Sequence, residues 1–387
     1  MKIAFVCPDG VSILLFCRGI LNALQSGSEK IEVYVVIGDN KYVGEIKELG
    51  VEVLVIPMYR FFNPFLDLRT TWNLYKLFKH EKFDAVINFS TKPNIFGSIA
   101  AWLAKVPLRL FHIVGMGAVF LPSNNFKKRI LQVFLLNLYK LACMLVHKVW
   151  FTNSNDLDFF VKQRMLDRNK TVLTRNYLDT GYYFPMEYDD PTLIDLRKEL
   201  GIDRDNKVVV MVARMIWAKG IREFAEAAEI LTPKYPNMIF ILIAPLETGR
   251  ADEVPVSYIK EMEQRANLHW FDFRKDVIRF YGISDIAVLP TYYKEGGYPR
   301  ALLEPMSMGK PVIATVSKDC RGAIDDGQNG YLVPIKDSNA LAHSIESLIN
   351  SEEKMSAFSR HSRNKAITEF DEKVIVKHAL TELGVLQ

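Results

Sequence analysis

Short runs of apolar and β-branched residues recur through the first half of the chain, at 2–7, 31–38, 51–57, 84–89, 108–114 and 148–152. Between them lie longer stretches in which apolar residues return with a helical period, as at Ile13–Gln25, Leu66–His80 and Ile95–Lys105. The strand-like runs are continuous and do not alternate with polar residues, the mark of a parallel sheet covered on both faces. After a turn-rich stretch around Gly181–Pro191 the pattern restarts, at 207–213, 238–244, 268–273, 286–290, 311–315 and 330–334. This predicts an α/β fold of two Rossmann-like domains, residues 1–185 and 186–370, with a helix over 371–387 returning to the first domain. Doubly wound sheets bind ligands beyond the carboxyl ends of their strands, so loops facing an interdomain cleft are where chemistry is expected.

The 387 residues suit two domains of ordinary size, and 49% hydrophobic with 24% charged residues excludes a disordered chain. The four cysteines are far apart with no C-x-x-C pair, which argues against a zinc site or disulfide framework and for a reducing, cytoplasmic setting. The chain starts directly on a strand, with no signal-peptide pattern. Its most membrane-like stretch, Ile130–Val146, is interrupted by Asn137 and Lys140 and falls short of the ~18 apolar residues that a spanning helix needs.

Charge changes the picture. Residues 1–185 carry 23 Lys+Arg against 14 Asp+Glu, a balance of +9, whereas the remainder carries 26 against 31, or −5. Residues 126–148 hold five Lys/Arg and no acid, and residues 59–79 interleave aromatics with Arg and Lys. Each segment also fits a core-facing helix with a basic rim. Taken with the +9 half, they point to a protein peripheral at an anionic membrane surface.

Two loops carry candidate chemistry. In V-A-R-M-I-W-A-K-G, residues 212–220, Arg214 and Lys219 follow a strand end, where two cations can neutralise a diphosphate. In E-G-G-Y-P-R-A-L-L-E, residues 295–304, Glu295 precedes the turn glycines Gly296 and Gly297, and Glu304 sits in the helix after it, next to Leu302 and Leu303. Amides at that helix start are open to an anion, and the carboxylates suit sugar hydroxyls. Solvated surface cations and glutamates fit the same spacing, so each loop alone leaves both readings open.

Together, in this order and with three strand–helix units between them, the loops resemble the retaining glycosyltransferases of family 4. The match is to R-x-x-x-x-K-G, to E-G-x-P-x-x-x-L-E, and to D-G-x-N-G-x-L-V-P at Asp326–Pro334. The resemblance implies the GT-B fold and roles by position. Arg214 and Lys219 would grip the donor diphosphate, Glu295 the donor sugar and Glu304 the ribose. Arg274, in a segment similar to G-x-R-x-D-V, would lie near the base, and Gly10 in the loop after the first strand near the diphosphate. Lys92, Asn94 and Gly115, at strand ends of the first domain, are candidate acceptor contacts.

It further implies a nucleotide-sugar donor, a UDP-N-acetylhexosamine being the expected one, with no cofactor and no metal requirement. The acceptor would be a polyprenyl-diphosphate-linked saccharide of surface polysaccharide or protein-glycan assembly, as in bacterial amino-sugar transferases acting on undecaprenyl diphosphate. No nucleic-acid partner is expected. A nucleotide-sugar 2-epimerase and a non-catalytic nucleotide-sugar-binding subunit share the architecture and stay open. The chain departs from the family pattern twice. The Glu295–Glu304 spacing is one residue longer, and the histidine that many members carry at the end of the fifth strand is absent, the chain reading Ile113-Val114-Gly115 there. His112 is expected to be a core histidine.

Overall fold

The computed structural model describes residues 1–27, 31–59, 62–115, 126–247, 249–250, 252–293 and 297–385, and for Lys127 and Lys128 the backbone alone. It divides into two compact units, residues 1–176 with 373–387, and residues 177–372. The boundary therefore lies at Asn176/Tyr177, earlier than the predicted 185/186.

The first unit is built on seven parallel strands: β1 Lys2–Cys7, β2 Glu32–Ile37, β3 Glu52–Val55, β4 Ala85–Phe89, β5 Leu108–Ile113, β6 Lys148–Phe151 and β7 Thr171–Leu173. Their spatial order is β3-β2-β1-β4-β5-β6-β7, so the winding reverses between β1 and β4. β4 is buried at every position because helices cover both faces. The longest of the early helices, Pro64–Glu81, starts where the Asn63 side chain accepts the Leu66 amide and Pro64 has no N–H to satisfy; it stops at Lys82, which turns left-handed (φ 54°). The predicted helix over Ile13–Gln25 is two helices, Gly10–Phe16 and Arg18–Ser26, broken at Cys17. The last helix, Glu372–Glu382, buries Val376, Ala379 and Leu380 in the core of this unit, and its Glu382 pairs with Lys148 of β6 at 3.7 Å.

The second unit has six parallel strands: β8 Lys207–Val212, β9 Met238–Ile243, β10 Leu268–Phe271, β11 Ile286–Leu289, β12 Val312–Thr315 and β13 Gly330–Val333. The order β10-β9-β8-β11-β12-β13 puts the reversal between β8 and β11. One continuous core joins both faces of this sheet, from Leu193 and Phe224 to Leu302, Met306 and Phe370. Among the described residues no helix is long and apolar enough to cross a membrane.

Candidate functional site

Both motif loops of the second unit leave the sheet at its β8/β11 reversal, where open α/β sheets place their ligands. After β8 the chain passes Arg214 and makes one 3-10 turn, Trp217–Lys219, ended by Gly220 in the left-handed region (φ 85°). Gly220 lies so close to β11's exit that a Cβ there would stand 2.2 Å from the Pro290 carbonyl oxygen. The two loops are also tied by hydrogen bonds, because the Ala218 carbonyl accepts both the Tyr292 amide (2.9 Å) and the Thr291 hydroxyl (3.2 Å).

This lacing brings the two predicted cations together. The Arg214 guanidinium lies 5.0 Å and the Lys219 ammonium 5.2 Å from the centroid of one ring, that of Tyr293. Arg214 is 38% exposed and its carboxylate neighbour, Glu247, is a distant 3.9 Å away. Lys219 is buried. A ring face attracts both charges, so this corner of the sheet gathers two cations of the kind that hold an anion. Tyr293 went unmarked in the sequence; its role depends on two loops crossing, and one extra Tyr after a strand carries no such signal.

Glu295 and Gly296 lie outside the described residues. Gly297 is buried, and the helix Arg300–Ser307 follows it. Two of the amides at that helix start are paired: Leu302 and Leu303 both donate to the Pro299 carbonyl, at 2.9 and 3.2 Å. A tightened first turn satisfies them, and both side chains belong to the core. Glu304 stands one turn later with 13% of its side chain exposed, and its Oε1 accepts from Arg300 Nε at 3.0 Å. Burial raises its carboxyl above the usual range, with the Arg300 charge opposing the shift.

Arg274 is engaged by Asp276 through two bonds of 2.9 Å, which hold that carboxyl below its usual range despite partial burial. Asp285 is architectural: its Oδ2 accepts the Val208 amide at 2.8 Å and joins β11 to β8. A cavity of about 340 Å³ beside Lys207, Asp285 and Lys310 lies at the opposite, amino-terminal edge of the sheet, away from both motif loops.

In the first unit, Asp9 caps the helix Gly10–Phe16 by accepting the Ser12 amide, and Gly10 itself packs on Tyr42, which a Cβ would meet at 2.7 Å. At the exit of β4, Ser90 is left-handed (φ 73°) and a π turn spans Pro93–Gly97, two irregularities of the kind that gather at functional sites. Lys92 is held there by the buried Asp67 carboxylate at 2.6 Å. Asn94 is buried and donates to the His112 carbonyl at 3.0 Å. Lys92 and Asn94 thus build the strand exit. His112 is a core residue, its Nε2 3.1 Å from the Thr174 hydroxyl, and burial depresses its pKa to about 3. Gly115 is half-buried beyond β5, and residues 116–125 after it lie outside the described residues. No group of three or more His, Cys, Asp or Glu among the described residues is placed to hold a metal ion.

Comparison with known proteins agrees with this architecture. Residues 194–365 match the family model Glycosyl transferases group 1, and residues 2–153 match Glycosyl transferase 4-like. The chain is 28% identical over 381 residues to the N,N'-diacetylbacillosaminyl-diphospho-undecaprenol alpha-1,3-N-acetylgalactosaminyltransferase of Campylobacter jejuni, covering 98% of this chain and 97% of that one. It is 24% identical over 349 residues to the UDP-Gal:alpha-D-GlcNAc-diphosphoundecaprenol alpha-1,3-galactosyltransferase of Escherichia coli, covering 89% and 86%. Among solved structures, Anabaena HepE in complex with UDP superposes with a TM-score of 0.81 at 20% identity, covering 100% of both chains; at that identity the likeness establishes the fold.

Proposed function

The chain belongs to the group 1 glycosyl transferases of GT-B fold, and from that premise we propose that it moves an N-acetylhexosamine, with retention of configuration, from a UDP-sugar to a saccharide linked to a polyprenyl diphosphate. The observation that carries the reading is the pair Arg214 and Lys219 on one Tyr293 ring at the β8/β11 reversal. As the bond between the anomeric carbon and the UDP oxygen breaks, negative charge grows on the diphosphate, and two preformed cations stabilise it. The acceptor hydroxyl attacks from the face that UDP leaves, a new C–O bond forms there, and the hydroxyl proton passes to a diphosphate oxygen. Glu304 holds the ribose and Glu295 orients the donor sugar. Arg274 lies toward the base. The choice of donor and of a lipid-linked acceptor draws support from the names of the Campylobacter and Escherichia relatives.

The first unit would face the membrane. The helix Pro64–Glu81 exposes Phe65, Leu68 and Trp72, with Lys76 over the Trp72 ring, and the helix Phe126–Leu145 exposes Phe126, Ile130, Val133 and Met144. An edge contact between Phe62 and Phe134 links the two regions. Apolar side chains interleaved with base suit an anionic lipid interface. The reading is tested by incubating the protein with UDP-N-acetylgalactosamine and an undecaprenyl-diphosphate-linked saccharide. A product one N-acetylhexosamine heavier with an α-anomeric proton by NMR supports it; a β product, or free-sugar interconversion without acceptor, removes it.

A further inference from the structure

Glu304 is a carboxylate that its surroundings press toward the neutral form. Its side chain is 13% exposed, and burial is the largest influence on it. The groups facing it are few. The phenols of Tyr183, from the segment before residue 190, and of Tyr281, from the helix Val277–Ile283, are kept protonated by burial. On the packed helix Glu352–Glu369, Arg363 is spent one turn further on, donating to the Ser307 and Tyr183 carbonyls at 2.6 and 3.0 Å. The full positive charge in contact with Glu304 is Arg300, which reaches it across one helical turn at 3.0 Å, is 36% exposed and also meets Tyr183.

We propose that Arg300 is a positioning residue for nucleotide recognition: it keeps Glu304 ionised and fixes Oε1, so that the carboxylate presents its remaining lone pairs to the ribose diol. The proposal rests on the reading of Glu304 as the ribose contact. A carboxylate accepts two hydroxyl protons, whereas a carboxylic acid has one acceptor oxygen fewer for a diol and loses charge assistance. Removing the Arg300 charge takes away the largest influence that opposes burial and leaves only the Tyr183 and Tyr281 hydroxyls against it, so Glu304 takes up its proton at higher pH.

The test is calorimetric binding of UDP and of 2′,3′-dideoxy-UDP as a function of pH, from about pH 5.5 to about pH 8.5. Wild type should prefer UDP by about tenfold at the alkaline end, from the charged hydrogen bonds to the diol, and should hold that preference to lower pH than a variant without the Arg300 charge. In Arg300→Gln the preference should survive at the alkaline end and vanish at higher pH than in wild type, while Arg300→Lys keeps a weaker preference that lasts to lower pH than the glutamine variant's. Arg300→Met repeats the measurement if the glutamine variant does not fold. A neutral variant that tracks wild type at every pH, or loses the preference equally at every pH, overturns the proposal and leaves the Glu304 reading standing. Full preference retained in Glu304→Gln overturns that reading, and the proposal with it.

Discussion

Replacing Gly220 with alanine should disable the donor site out of proportion to its size. Gly220 sits at φ 85°, where an L side chain costs about 1–2 kcal/mol. An added Cβ would also stand 2.2 Å from the Pro290 carbonyl oxygen and 2.8 Å from Pro290 Cγ, backbone and ring that belong to the exit of β11 and cannot swing aside. Forcing one carbon into such a contact costs about 1–3 kcal/mol more. The loops must part, and they are the same loops that bring Arg214 and Lys219 to Tyr293. Gly201 supplies the control: it is left-handed too (φ 64°), but a Cβ added there would meet nothing within 4 Å, so Gly201→Ala carries the backbone cost alone. Urea unfolding should put Gly220→Ala about 1–3 kcal/mol below Gly201→Ala, with UDP affinity falling in the first variant and unchanged in the second. Equal losses of stability and equal UDP affinities would refute the argument that this close approach sets the site.

Three further outcomes are expected. Lys219→Ala should lower turnover by about 10²–10³-fold, as loss of a charge-stabilising group does, with a much smaller effect on thermal stability; matched losses in kinetics and melting would make Lys219 structural. His112 should make the fold acid-sensitive: its folded pKa of about 3 lies below the unfolded 6.5, so the unfolded chain binds the extra proton. Its contribution is therefore intact above pH 6.5 and is lost as pH falls toward 3, on the order of 5 kcal/mol in all; urea titrations should show a shallower acid decline in His112→Phe. Finally, Phe65→Ser with Trp72→Ser, both at exposed positions, should leave stability within about 0.5 kcal/mol while weakening co-sedimentation with phosphatidylglycerol vesicles, and unchanged sedimentation would exclude this face as the membrane contact.

Much of the architecture could be read from the chain because buried parallel strands are written as continuous apolar runs. β1, β4 and β9 are of that kind, and the sequence predicts each within a residue or two. β7 escaped for a physical reason: Thr171–Leu173 is three residues long at the sheet edge, flanked by Lys170 and Arg175, and too short to show a period. The break at Cys17 was also invisible, since apolar residues keep helical spacing across it. At the site, Arg214, Lys219 and Glu304 could be named from their motifs. What surrounds them could not: the Pro299 carbonyl taking the Leu302 and Leu303 amides follows from a tight first turn, and Asp67 meets Lys92 from a helix 25 residues earlier. Such pairings are set by tertiary packing, which local pattern does not encode.

Transfer from a UDP-sugar to a lipid-linked saccharide is read in one step from initial rates of UDP release. Purified protein is supplied with a panel of UDP-sugars, with and without an undecaprenyl-diphosphate-linked saccharide. Rapid release is expected with one UDP-N-acetylhexosamine, and only when the lipid-linked acceptor is present. Release that ignores the acceptor, or UDP binding with no release from any donor in the panel, would contradict it.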